Sequence, residues 1–139
     1  MSSNESFEKL ARFAMAQAVS YRAQRDTLPP RPSISPQQLR SLFDIGLPEQ
    51  GREGVEVLEM LAAVTGRGLV GTTAPNFFAW VMGASHPVGV AAEWMVTAWG
   101  QNAGIYDTSP AAAMAEDVAS GWLLELLDLP RDSSIGFTT

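Results

Sequence analysis

The sequence contains no cysteine, so neither a disulfide framework nor thiolate chemistry can be built from it. It has one histidine, His86, and one lysine, Lys9. A histidine-rich metal site is therefore excluded, and no metal ligands are expected. A Ser-His-Asp triad would have to use His86, and a Schiff-base lysine would have to be Lys9. Lys9 lies in an amphipathic stretch near the N-terminus, where a lysine reads as a solvated surface residue. Charge is scarce: Asp, Glu, Lys and Arg make up 17% of the 139 residues, against about 25% in ordinary soluble domains. The net charge is −6 and basic residues nowhere cluster, which argues against a nucleic-acid partner. There is no run of about 18 apolar residues, so no membrane span is expected. Met1-Ser2-Ser3-Asn4-Glu5 lacks the basic and apolar regions of a signal peptide. The expected location is the cytoplasm.

What the chain does have is apolar surface. Hydrophobic residues reach 46%, enough for one modest domain with a core. High apolar content with little charge reads as surface made to be buried against other polypeptide. The alternative is an unusually apolar, self-contained α-protein.

Hydrophobic periodicity predicts helices over 3–25, 36–44, 51–65, 88–99 and 111–129. In the first, Phe7, Leu10, Ala14 and Tyr21 share a side. Ser3 or Asn4 can cap it, Glu5 and Glu8 suit its positive end, and Arg22 and Arg25 suit its last turn. Leu28-Pro29-Pro30-Arg31-Pro32 cannot be helix and forms a stiff, extended linker. Ser35-Pro36-Gln37-Gln38 is a capping box with proline at the first helical position. Gly66 and Gly68 end the third helix. Between Val88 and Trp99 the only charge is Glu93, the pattern of a helix buried on several sides. Ser109 is expected to cap the last helix, with Pro110 at its first position. Ile135 to Thr139 has β-type residues and reads as a strand just beginning.

The candidate functional stretches lie between these helices. Pro75 to Met82 is short, aromatic and apolar, either a strand or an extended loop. Gly100 to Thr108 is a polar, glycine-bearing loop. Gly66-Arg67-Gly68 and Gly100-Gln101-Asn102-Ala103-Gly104 are too short to be phosphate loops. Glu116 and Asp117 point to different sides of a helix and form no acid–base pair. His86 qualifies by type as a base, but its place before Pro87 fits a cap or loop hydrogen-bonder better. Phe77, Phe78, Trp80 and Tyr106 could line an apolar pocket; by residue type alone they read first as core.

A longer pattern bears on that choice. Phe77-Phe78-Ala79-Trp80, Ala84-Ser85-His86-Pro87, Asn102 to Ser109-Pro110-Ala111, Glu116, Trp122-Leu123, Leu126-Leu127-Asp128-Leu129-Pro130 and Gly136-Phe137-Thr138-Thr139 follow in order. Together they resemble the N-terminal third of group II pyridoxal-phosphate-dependent decarboxylases. That family includes the aromatic-L-amino-acid, histidine and glutamate decarboxylases. The likeness covers residues 30 to 139, and its most specific part is the Ser-Pro pair opening a helix that ends Trp-Leu, Leu-Leu and Leu-Pro.

The resemblance implies a mainly α segment, the N-terminal part of an α/β fold-type I enzyme, ending at the first strand of the large domain. It implies three parts: an N-terminal helix and Pro-rich linker (1–34), a helical dimerisation and substrate-pocket region (35–110), and the start of the cofactor-binding domain (111–139). It implies pyridoxal 5′-phosphate (PLP) as cofactor of the full-length enzyme, an amino acid as substrate, and two partners: the rest of the same polypeptide and a second identical subunit. Phe77, Phe78, Trp80, Val81 and Met82 would line the pocket near the substrate's side chain. Asn102, Gly104 and Tyr106 would reach a pocket across the dimer interface. The family's phosphate turn, ring-stacking histidine, pyridinium-binding aspartate and Schiff-base lysine match nothing here, so the segment is expected to contain no catalytic or cofactor-binding residue. One departure concerns the pocket: many relatives carry His-Pro where this chain has Ala74-Pro75. The other reading of the residues is a free-standing α-helical binding module without catalysis.

Overall fold

The computed structural model describes residues 3–82 and 85–137, and the side chains from Phe7 onward. The described residues hold five α-helices and no strand: α1 (Ser3–Gln24), α2 (Pro36–Phe43), α3 (Gly54–Thr65), α4 (Pro87–Trp99) and α5 (Pro110–Leu126). A single 3-10 turn, Arg25–Thr27, extends α1. The chain divides into two compact units, Met1–Ser85 and His86–Thr139.

In the first unit α3 packs against both α1 and α2. Gly54 opens α3 because Leu10 of α1 lies over it; a Cβ there would stand 3.0 Å from a Leu10 methyl. The box at Ser35 forms as its sequence predicts. Ser35 Oγ accepts from the Gln38 N–H at 3.2 Å, and Gln38 Oε1 accepts from the Ser35 N–H at 3.1 Å. That pairing starts a helix of only 8 residues, too short to persist on propensity alone. The start of α1 predicted at Ser3, Asn4 and Glu5 involves side chains outside those described.

In the second unit α4 begins at Pro87, with His86 as N-cap, and ends at the left-handed Gly100. α5 ends at Leu126, three residues before the predicted end. Asp128 turns left-handed (φ 52°), and the Leu129 N–H reaches back to the Leu124 carbonyl at 2.9 Å. The following Pro130 disfavours helix at Leu129, so the chain closes off early. The strand predicted over Ile135 to Thr139 is not formed in residues 135–137; Thr138 and Thr139 lie outside the described residues. A strand needs a neighbour for its ladder, and no described segment offers one.

The core is slight. Ala74 and Leu124 are the buried apolar residues among those described. The chain exposes 11337 Å². A folded monomer of its 14.9 kDa would expose about 7,000 Å², and two separate globules of the same total mass about 8,400 Å². The excess, about 2,900 Å² or more, is several times the ~800 Å² each partner contributes to a standard interface. Most of α4 contributes to it: Val88, Trp94, Met95, Val96 and Trp99 are all exposed.

Candidate functional site

The two predicted pocket stretches belong to different units and are described separately. In the first unit, residues 71–82 run as a succession of turns with no strand. The Ala74 N–H bonds the Gly71 carbonyl and the Phe77 N–H bonds the Ala74 carbonyl, each at 3.1 Å. Ala74 is buried, so the alanine of the Ala74-Pro75 pair faces inward. Beside it, the Thr73 hydroxyl is buried without a partner among the described residues.

Beyond Phe77 the side chains turn outward. Phe78 is 90% exposed, Trp80 86% and Val81 103%, and Met82 is exposed as well. Trp80 and Val81 both have positive φ, 64° and 55°. Consecutive left-handed residues are normally Asn or Gly; for a β-branched valine the conformation is an outlier. No charged side chain lies between Arg67 and His86, so this edge offers apolar contact and neutral hydrogen-bonding groups, among them the Trp80 indole N–H, and no ion pair. Gly83 and Ala84 lie outside the described residues.

In the second unit, residues 101–109 form a loop closed by its own hydrogen bonds. Ser109 is 2% exposed. It occupies the N-cap position of α5, yet its side chain makes no cap hydrogen bond. Its Oγ instead accepts the Asn102 N–H at 2.9 Å. Asn102 Oδ1 accepts the Gly104 N–H at 3.0 Å, and the Ser109 N–H is shared between the Ile105 and Tyr106 carbonyls. The expected cap is thus diverted into holding the loop, which leaves Ile105 and Tyr106 facing outward, both exposed. Asn102 and Gly104 shape the loop's backbone and Tyr106 is its presented side chain.

His86 acts as the cap its position predicts, its Nδ1 accepting the Val88 N–H at 3.3 Å. Lys9 is exposed on α1. The only lysine and the only histidine therefore sit on an open helix face and at a helix start. The described residues contain no group of three or more potential metal ligands, and none of their helices is long and apolar enough to cross a membrane. A feature the sequence did not mark is an open groove of about 500 Å³ between α1 and α3, lined by Phe13, Gln17, Tyr21, Leu58, Leu61 and Leu69.

Comparison with solved structures places this architecture. The chain superposes on the crystal structure of an Oryza sativa TDC with PLP, at TM-score 0.77 and 22% identity, over 94% of this chain and 27% of that one. It matches a Catharanthus roseus tryptophan decarboxylase in complex with L-tryptophan at 0.77 and 22%, over 94% and 28%. A Rhodiola rosea 4-hydroxyphenylacetaldehyde synthase gives 0.76 and 23%, over 94% and 28%. At these identities the likeness establishes the fold: an all-helical arrangement matching the N-terminal part of a PLP-dependent decarboxylase. The chain spans little more than a quarter of the length of those structures. No family model matches the sequence, and no curated protein does.

Proposed function

We propose that this chain is the N-terminal segment of a PLP-dependent amino-acid decarboxylase, a cytoplasmic homodimeric carboxy-lyase. In this reading it supplies dimer contacts and part of the substrate pocket. The observation that carries it is the superposition of 94% of the chain on the PLP-containing Oryza sativa structure. The large uncovered apolar area supports it, because such area needs a partner.

The residues of this segment do not fit the cofactor. A PLP site needs a lysine and a phosphate cradle, whereas Lys9 stands exposed on α1 and the Nδ1 of His86 is occupied as a cap. PLP, when bound in the parent enzyme, supplies the electron sink for the pair released as CO₂ leaves. This chain's own part is binding and orientation: Phe78, Trp80, Val81 and Met82 offer an apolar wall to a substrate side chain. Asn102, Gly104 and Tyr106 offer a second edge, toward the neighbouring subunit's pocket.

Two measurements test the reading. The isolated chain, mixed with PLP, should give no stoichiometric visible absorbance change and release no CO₂ from amino acids; a one-to-one spectral change would refute the division of labour. A monomer that binds no hydrophobic dye would refute the segment reading and favour an independent binding module.

A further inference from the structure

The two units differ in charge. Residues 1–85 hold eight acidic and eight basic side chains, a formal charge of zero; residues 86–139 hold seven acidic and one basic, a formal charge of −6. That one base, Arg131, already pairs with Glu125 at 3.1 Å. Neither α4 nor α5 carries a lysine or an arginine.

These are also the helices with the least cover. Among the described residues neither packs closely on another helix, and the unit's three tryptophans, Trp94, Trp99 and Trp122, are all exposed. Between the end of α4 and the start of α5 lies an open apolar cleft of about 540 Å³, lined by Val96, Trp99, Gln101, Ala111, Ala112 and Ala115. Small side chains on the α5 side leave the space. A helix brings residues three and four apart side by side, so Glu93 stands beside Val96 and Glu116 beside Ala112. The cleft thus has a carboxylate one turn away on each helix. Both are exposed, and neither has a cationic partner among the described residues.

Exposure runs along α4 from Val88 to Trp99, so whatever covers the helix extends well past one cleft. Exposed tryptophans are typical anchors of protein interfaces, which points to polypeptide. A second copy of the same unit would bring −6 against −6, and like charge across an interface suppresses pairing. A cationic surface instead matches the carboxylates, and its Lys or Arg side chains can stack on the indole faces. We propose that the α4–α5 cleft is a docking site for a basic amphipathic polypeptide, which seats an apolar side chain among Ala111, Ala112 and Ala115 and pairs cations with Glu93 and Glu116. This goes beyond the decarboxylase reading and does not depend on it.

The test uses two helical peptides of about 18 residues, five turns, that share a leucine face. One carries lysine on its polar face and the other glutamate. Each is titrated into the ¹⁵N-labelled chain at about 0.15 M salt, and the indole N–H signals are followed. Trp99 lines the cleft, whereas Trp80 lies in the first unit. The lysine peptide should shift Trp99, leave Trp80 in place, and bind at least about tenfold more tightly than the glutamate peptide. Glu93→Gln with Glu116→Gln should weaken it about fivefold, the loss of two exposed ion pairs. Asp128→Asn with Asp132→Asn removes the same charge from the segment after α5, which lines no part of the cleft. That pair should weaken binding less than about twofold, because attraction beyond about 8 Å is screened. Equal affinity for the two peptides overturns the proposal. So does an equal loss in the two double variants, which would mean diffuse attraction to an acidic chain. A Trp99 signal that moves with chain concentration in the absence of peptide assigns the cleft to a second copy and overturns it too. Failure of the decarboxylase reading would change none of these results.

Discussion

Replacing Ser109 by alanine separates two roles that its position allows. A serine before Pro110 would ordinarily cap α5, and loss of a cap exposes the second or third helical amide, here Ala111 or Ala112. In the structure the hydroxyl accepts the Asn102 N–H at 2.9 Å instead and makes no cap bond. Alanine keeps the Cβ and removes the acceptor, so almost no cavity forms and the loss is that of one hydrogen bond. Ser109 is buried, but Asn102 is an exposed residue and water can partly replace the partner. The cost therefore falls at the low end of the range for an unsatisfied donor, about 1 kcal/mol. Native-state hydrogen exchange followed by NMR should show the Asn102 amide exchanging about fivefold faster, with Ala111 and Ala112 unchanged within about twofold. Faster exchange at Ala111 and Ala112 with Asn102 unaffected would refute the reasoning and restore Ser109 to an ordinary cap.

Two further expectations follow from the same structure. Ser35→Ala removes the Oγ that accepts the Gln38 N–H while keeping the backbone N–H that donates to Gln38 Oε1, and should cost about 1 kcal/mol, seen as loss of helical ¹³C shifts across Pro36–Phe43 while α3 keeps its own. Trp80→Ala removes a side chain that is 86% exposed and should shift the chain's unfolding free energy by no more than about 0.5 kcal/mol in a urea titration; a loss of 2 kcal/mol would show that the ring packs within the chain rather than facing a ligand.

The parts of this fold that were legible from sequence are those decided within a few residues. The box at Ser35, the cap at His86 and the prolines that open α2, α4 and α5 all depend on near neighbours, and they stand where their spacing placed them. Features set by distant partners were not legible. Ser109 carries every local mark of a cap, but a competing amide seven residues earlier takes its hydroxyl. Ile135 to Phe137 has the composition of a strand and no strand among the described residues to pair with. The Arg22 grip on Ser85 spans 63 residues, and in sequence Arg22 showed only a cation suited to a helix end. For the pocket, the resemblance supplied the positions of Phe77 to Met82 and Asn102 to Tyr106, while their conformation came only from coordinates. Nothing in composition marks a valine for positive φ.

Hydrogen bonding and apolar burial are completed to different degrees in this chain, and the difference bears on what it can do alone. The polar work is largely done internally: the box, the His86 cap, the Asn102–Ser109 loop and the Arg22–Ser85 contact all find partners among the described residues. The apolar work is not, since α4 has almost no apolar residue out of solvent and the total surface exceeds that of a folded chain of this mass by thousands of Å². Hydrogen bonds confer local geometry but little net free energy once water competes; burial supplies most of the stability. A chain so divided can encode the shape of the two loops proposed for recognition while depending on further polypeptide to hold them firmly. In the proposed enzyme, assembly and pocket formation would then be one event, because the helices that need covering are the same ones that carry the loops.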